Sequence, residues 1–169
     1  MEGHMPAGNS SAQGRANVLA SQEFCARVAP LLLRLALAVT FLSAVADRFG
    51  MWGPPGTSSV SWGDWSHFVA YTAKVNSFLP AVLAPTLAVI ATAAESVLGV
   101  ALILGVFTRP VAWASTILLV LFAGAMTLSF GIKAPLNYSV FVDLAAAFAL
   151  GAWPATANLS QRGHKPPSA

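Results

Sequence analysis

The sequence predicts an all-α fold, a four-helix transmembrane bundle with a short amphipathic interfacial helix between spans 1 and 2. Composition is the first observation. Hydrophobic residues make up 56% of the 169 and charged residues 9%, too little charge to cover a soluble domain of this size. The second is the stretch Pro85–Arg109, PTLAVIATAAESVLGVALILGVFTR, which exceeds the roughly 20 apolar residues that a helix needs to cross hydrocarbon. The third is that further apolar runs flank it, and only helices satisfy their own backbone polar groups in lipid at this chain length.

Length argues for one domain. We divide the chain into a polar, disordered cytoplasmic N-terminal tail (1–26), a four-span membrane domain (27–153) and a disordered cytoplasmic C-terminal tail (154–169). No cleavable signal peptide is evident. The single cysteine, Cys25, cannot form an internal disulfide and reads as a small residue at the membrane boundary.

Span 1 runs from about Val28 to Phe49. Arg34 lies early enough to bury its stem and keep its guanidinium near one interface, while Asp47 and Arg48 fall where the far end meets headgroups. In the connection that follows, Gly53, Pro54, Pro55 and Gly56 exclude regular structure. Asp64 then reads as the N-cap of a short helix with Trp65, Phe68, Val69 and Thr72 on one face, lying on the membrane surface. Trp52, Trp62 and Trp65 suit an interfacial aromatic belt.

Span 2 is the Pro85–Arg109 stretch, and Phe107–Pro110 makes the turn out of it. Span 3, about Val111–Phe130, has Gly124 and Ala125 as close-packing positions. After the loop GIKAPLNY, span 4 covers about Ser139–Trp153, short enough to thin the bilayer locally. The net charge of +3 is read as a topology signal: no basic run is interleaved with aromatics, so nucleic acid is not a partner. Arg15, Arg27, Arg109, Arg162 and Lys165 share one side, which places both termini in the cytoplasm of a bacterial inner membrane.

The chemistry is expected around two acids inside the spans. Glu95 lies about 15 Å below the outer end of its helix and Asp143 about 7 Å down span 4. Such acids cost on the order of 3 kcal/mol to insert and mark a site by default. With Asp47 and Arg48 at the rim and Asn137 and Tyr138 in the neighbouring loop, they form a ladder. That ladder could line an outward-facing pocket lidded by Trp62, Trp65 and the segment to Tyr71. When protonated, a carboxyl at this depth donates to a carbonyl oxygen, which is what a quinone headgroup presents.

Each feature has a structural alternative. Glu95 could pair with Arg34 or meet a hydroxyl of Thr92, Ser115 or Thr116; Asp143 could pair with Arg48 or Lys133. Asn137 and Tyr138 could simply cap span 4, and Arg34, Arg109 and Lys133 could be structural charges. His67 is the only histidine outside the tails, which rules out a bis-histidine haem within one chain, and no Cys/His or Glu-x-x-His spacing points to a metal. No phosphate-cradling glycine loop or nucleophile elbow is present, so any redox work needs a bound quinone or a partner subunit to carry electrons.

The run LLLRLALAVTFLSAVADRFG, the run AAESVLGVALILGVFTRP, a third small-residue span and a fourth after a short polar loop together resemble the DoxX-like membrane proteins. That family includes the small subunit of archaeal thiosulfate:quinone oxidoreductase. The likeness covers about Arg34–Trp153, and its most specific part is Glu95 with Gly99, Leu104-Gly105 and Thr108-Arg109. RFGMWGPPG and SVSWGDWSHF resemble a bacterial subgroup. The resemblance implies a four-helix membrane bundle associated with redox or quinone-stress functions. More distant relatives act as cargo receptors or assembly chaperones, so fold alone does not settle function.

The leading expectation is therefore an integral membrane subunit of a redox system, at most an accessory subunit of a quinone-linked oxidoreductase. It would bind a quinone or similar apolar molecule, with no metal or haem. The second expectation is a non-enzymatic membrane partner, assembly or cargo protein acting through its outer loop. The third is a small-solute transporter, disfavoured because the polar groups lead outward only. Expected partners are the lipid bilayer and a partner subunit or second copy.

Overall fold

Apolar periodicity and helix-stop residues account for nearly every boundary in the computed structural model, which describes residues 8–154. The elements are α1 (Gly8–Arg48), α2 (Trp65–Val75), a 3-10 turn (Ala81–Leu83), α3 (Ala84–Leu104), α4 (Thr108–Phe130), α5 (Lys133–Asn137) and α6 (Val140–Ala152), with no strand among the described residues. The chain divides into two compact units, of which Leu33–Trp153 is the larger. The described part of the smaller unit, before Leu33, is helical.

The helix of α1 begins at Gly8, inside the segment read from sequence as a disordered tail. Ala, Gln, Glu, Arg and Leu there are good helix formers, and extending an existing helix costs far less than nucleating one. The tail expected after Pro154 lies outside the described residues.

Among the described residues, three helices are long and apolar enough to cross a membrane: Gln13–Arg48, Ala81–Leu104 and Thr108–Phe130. The fourth apolar helix, α6, has 13 residues. At 1.5 Å per residue it reaches about 20 Å, short of the hydrocarbon thickness. Helix is interrupted just before it, where Ser139 adopts a left-handed φ of 56°. What sequence read as part of a loop is the separate short helix α5.

Within the larger unit, Leu37, Ala38 and Phe41 of α1 meet Leu102 of α3, Ala112, Leu119, Ala123 and Met126 of α4, and Val140, Ala147 and Leu150 of α6. Gly99 lets α3 approach α1: a Cβ there would lie 2.9 Å from Leu42 Cγ. Gly151 does the same for α6, lying against the Trp113 ring, which also meets Phe148 edge-on at 5.3 Å. Gly124, expected at a close-packed position, is exposed and a Cβ there would touch nothing within 4 Å. Its face of α4 is turned away from α1, α3 and α6.

The short amphipathic helix forms where expected. Asp64 caps α2 by accepting from His67 N at 2.8 Å, and Phe68 and Thr72 are its buried residues. Its buried face packs on α3 and α4. Its far end is tied down where Ser129 Oγ donates to Val75 O at 2.8 Å and Ser77 Oγ donates to Ser129 Oγ at 3.1 Å.

Candidate functional site

The last turn of α1 is where the chain changes direction. Gly50, with φ 72°, lets its N–H bond to Asp47 O at 3.0 Å, while Met51 N–H reaches Ala46 O at 3.0 Å. The loop then crosses itself so closely that a Cβ on Gly50 would stand 2.9 Å from Gly63 O. This crossing returns Ser61 and Trp62 to the end of α1. There Asp47 Oδ2 accepts from Ser61 N at 3.1 Å and from Trp62 N at 2.9 Å. One carboxylate thus fixes the position of the Trp62 indole.

Beneath that indole lies Arg48. Its Cζ is 5.3 Å from the Trp62 ring centroid and 3.9 Å from that of Phe68, so two aromatic faces wall the guanidinium. Nη1 donates to Thr92 Oγ1 at 2.8 Å, and Nη2 lies 2.6 Å from Glu95 Oε2. Thr92 and Glu95 are three residues apart on α3 and therefore share a face. Arg48 and Glu95 are each 2% exposed and Asp47 is 5% exposed. A buried pair of this kind costs several kcal/mol per ion in desolvation, offset only by close geometry. That geometry is incomplete: Arg48 Nε and Asp47 Oδ1 are buried with no hydrogen-bond partner among the described residues. Glu95 Oε2 meets Nη2 as an ionic contact off the hydrogen-bonding direction.

Several sequence expectations are corrected here. Asp47 and Arg48 stand at the end of α1, as expected, but they are buried there because the returning loop covers them. The partner of Glu95 is Arg48, not Arg34. Arg34 instead lies against the glycine that ends α3, where a Cβ on Gly105 would overlap its Nη1. Thr92 serves Arg48, while Ser115 and Thr116 donate to Val111 O and Ala112 O of their own helix. Asp143, half-buried in the first turn of α6, is ion-paired with neither Arg48 nor Lys133 among the described residues.

Lys133, Asn137 and Tyr138 are exposed on and after α5, and Arg109 is exposed at the start of α4. Neither Asn137 nor Tyr138 caps α6; that position is Ser139, with no side-chain bond. Trp65 stacks on Phe49 at 6.1 Å and meets Phe68 at 5.8 Å, one step removed from Arg48. Trp52 Nε1 donates to Ser43 O at 3.0 Å on the flank of α1. Tyr71, 5.6 Å from Trp62, has its phenol pushed up to about 12, first by burial and then by nearby Tyr138.

The structure therefore brings together Asp47, Arg48, Glu95 and Trp62 and adds Thr92 and Phe68. It leaves Asp143, Asn137, Tyr138 and Lys133 out of that hydrogen-bonded group. The i,i+3 spacing of Thr92 and Glu95 was the available signal for Thr92; nothing in the sequence marked Phe68 as an arginine platform.

A family model described as DoxX matches residues 29–130, a stretch containing every residue of this group. No curated protein and no solved structure matches the chain.

Proposed function

Because the chain belongs to the DoxX family, we propose that it is an integral membrane subunit of a redox system, holding a quinone or similar flat apolar molecule beside the Arg48–Glu95 pair. The observation that carries this reading is the orphaned donor of Arg48. A buried guanidinium whose Nε–H has no partner among the described residues, walled by Trp62 and Phe68, matches a ring that presents a carbonyl oxygen. The donor role belongs to Arg48, whose Nε–H is the buried donor left without a partner among the described residues. Glu95 then holds the fork of Arg48 in place from one side, and Thr92 from the other. Asp47 keeps Trp62 over the pair and excludes water. A bound quinone would supply the electron and proton chemistry that these side chains lack.

The protein is a multi-pass membrane protein. We place four crossings in it, the last made by α6, whose 13 residues span the membrane where the bilayer thins locally around it. The basic residues on the tails and at Arg109 support cytoplasmic termini in a bacterial inner membrane.

The test is titration of the purified full chain with a short-tailed ubiquinone analogue, following tryptophan fluorescence. Quenching should saturate in the parent, be reduced in Trp62→Phe, and require higher ligand concentration in Glu95→Gln. Unsaturable quenching, or equal quenching in all three proteins, overturns the reading. A second reading, a non-enzymatic partner acting through its outer loop, is favoured by the exposure of Phe49, Met51 and Trp52 at 62%, 75% and 57%. It predicts a co-purifying polypeptide that is lost when these three become serine, with no saturable quinone binding.

A further inference from the structure

The opposite end of α3 carries a second basic feature, separate from the Arg48 site. Arg34 is half-buried, its Nε is buried without a partner among the described residues, and no described carboxylate pairs with it. Its guanidinium lies against the turn between α3 and α4. Gly105 there has φ 71°, and any side chain at that position would overlap Nη1, with Cζ 2.9 Å from the added atom. Glycine suits the left-handed backbone, and a side chain there would push the guanidinium out of the slot. Four residues on, Arg109 is exposed and also unpaired among the described residues. Beside these cations the surface is apolar: Leu104 is 67% exposed and Phe107 80% exposed.

An unpaired guanidinium in a partly desolvated slot is unfavourable unless an anion completes it. The α3–α4 turn lies at a membrane face because α3 and α4 both span and meet there. An anion placed there with an apolar body beside it is the phosphate and acyl chain of a lipid. From these observations we propose that the α3–α4 turn binds an anionic phospholipid. Arg34 grips the phosphate through its planar fork, Arg109 adds charge from the rim, and Leu104 and Phe107 contact an acyl chain. The fork geometry favours arginine over lysine at position 34.

The experiment is native mass spectrometry of the delipidated full chain with added phosphatidylglycerol, phosphatidylcholine or inorganic phosphate. Phosphatidylglycerol should be retained and phosphatidylcholine should not. Arg109→Gln, a surface change that leaves packing intact, should weaken phosphatidylglycerol binding about fivefold. Arg34→Lys, which keeps the charge, should weaken it by a similar factor through loss of the fork. Equal retention of the two lipids, or unchanged binding in both variants, overturns the proposal. Inorganic phosphate that occupies the site and abolishes lipid retention overturns it in favour of a free-phosphate site. Quinone titration should be unaffected by Arg109→Gln, so the two readings fail independently.

Discussion

Neutralising Glu95 tests the group on which the site rests. Glu95 and Arg48 have side chains 3% exposed, and their closest atoms are 2.6 Å apart. Glu95→Gln removes the countercharge and leaves a buried guanidinium facing neutral acceptors, the introduced amide oxygen and Thr92 Oγ1. Breaking a buried pair by removing one partner costs about 3–5 kcal/mol, most of it the uncompensated charge left behind. Arg48→Gln should cost a similar amount by stranding the carboxylate, plus about 2 kcal/mol for the lost contact with the Phe68 face. That last contribution does not involve Glu95, so it appears in the single and double variants alike and cancels in a double-mutant cycle.

The double variant strands neither member of the pair as a lone buried charge. It should be several kcal/mol more stable than the sum of the singles predicts, a coupling well above the roughly 0.5 kcal/mol of independent sites. Equilibrium unfolding in mixed detergent micelles, followed by far-UV circular dichroism, measures all four corners of the cycle. Coupling below about 0.5 kcal/mol would mean that the two charges are not paired in the folded protein, and the account of the site would fail.

Asp47→Asn should weaken two charge-assisted bonds to Ser61 N and Trp62 N, costing about 1–3 kcal/mol, with tryptophan emission shifting to the red as the indole gains solvent. Gly105→Ala should destabilise by about 1–2 kcal/mol of left-handed strain, the Arg34 guanidinium shifting aside at little further cost. Gly124→Ala, with open space around it, should be neutral or stabilising by up to about 1 kcal/mol, and thermal unfolding of both variants checks the contrast.

The Asp64 carboxyl is held well below the usual carboxylate range, chiefly by the backbone N–H of His67, then by the Ser66 hydroxyl and the His67 ring. Its folded-state value is depressed. Its contribution to α2 is therefore fully present above the ordinary value near about 4 and is lost only as pH falls through the lowered one. Carboxyl titration by NMR should find Asp64 still ionised where ordinary aspartates have protonated.

Membrane class, the positions of three long spans, the Asp64 cap and the need of Glu95 for a partner were legible because each depends on local pattern. Apolar runs of spanning length exclude other solutions in lipid, Asp before a helical face caps it, and an acid among apolar residues must find a partner. The identity of that partner was not legible. Arg34 and Arg48 stand at opposite ends of one span, and the sequence does not say which arginine reaches Glu95. The choice depended on a glycine-crossed loop that folds back over the end of α1 and moves Arg48 from an apparent rim into the interior.

For the same reason Thr92 and Phe68 became parts of the site while Asp143 and Asn137 did not. Solvation of a charge depends on what covers it, and cover comes from segments distant in sequence. The primary structure determined which residues must leave water and which cannot do so alone. Only the tertiary arrangement decided which opposite charge each would meet, because an ion pair in low dielectric is set by distances of a few ångströms that no local pattern encodes.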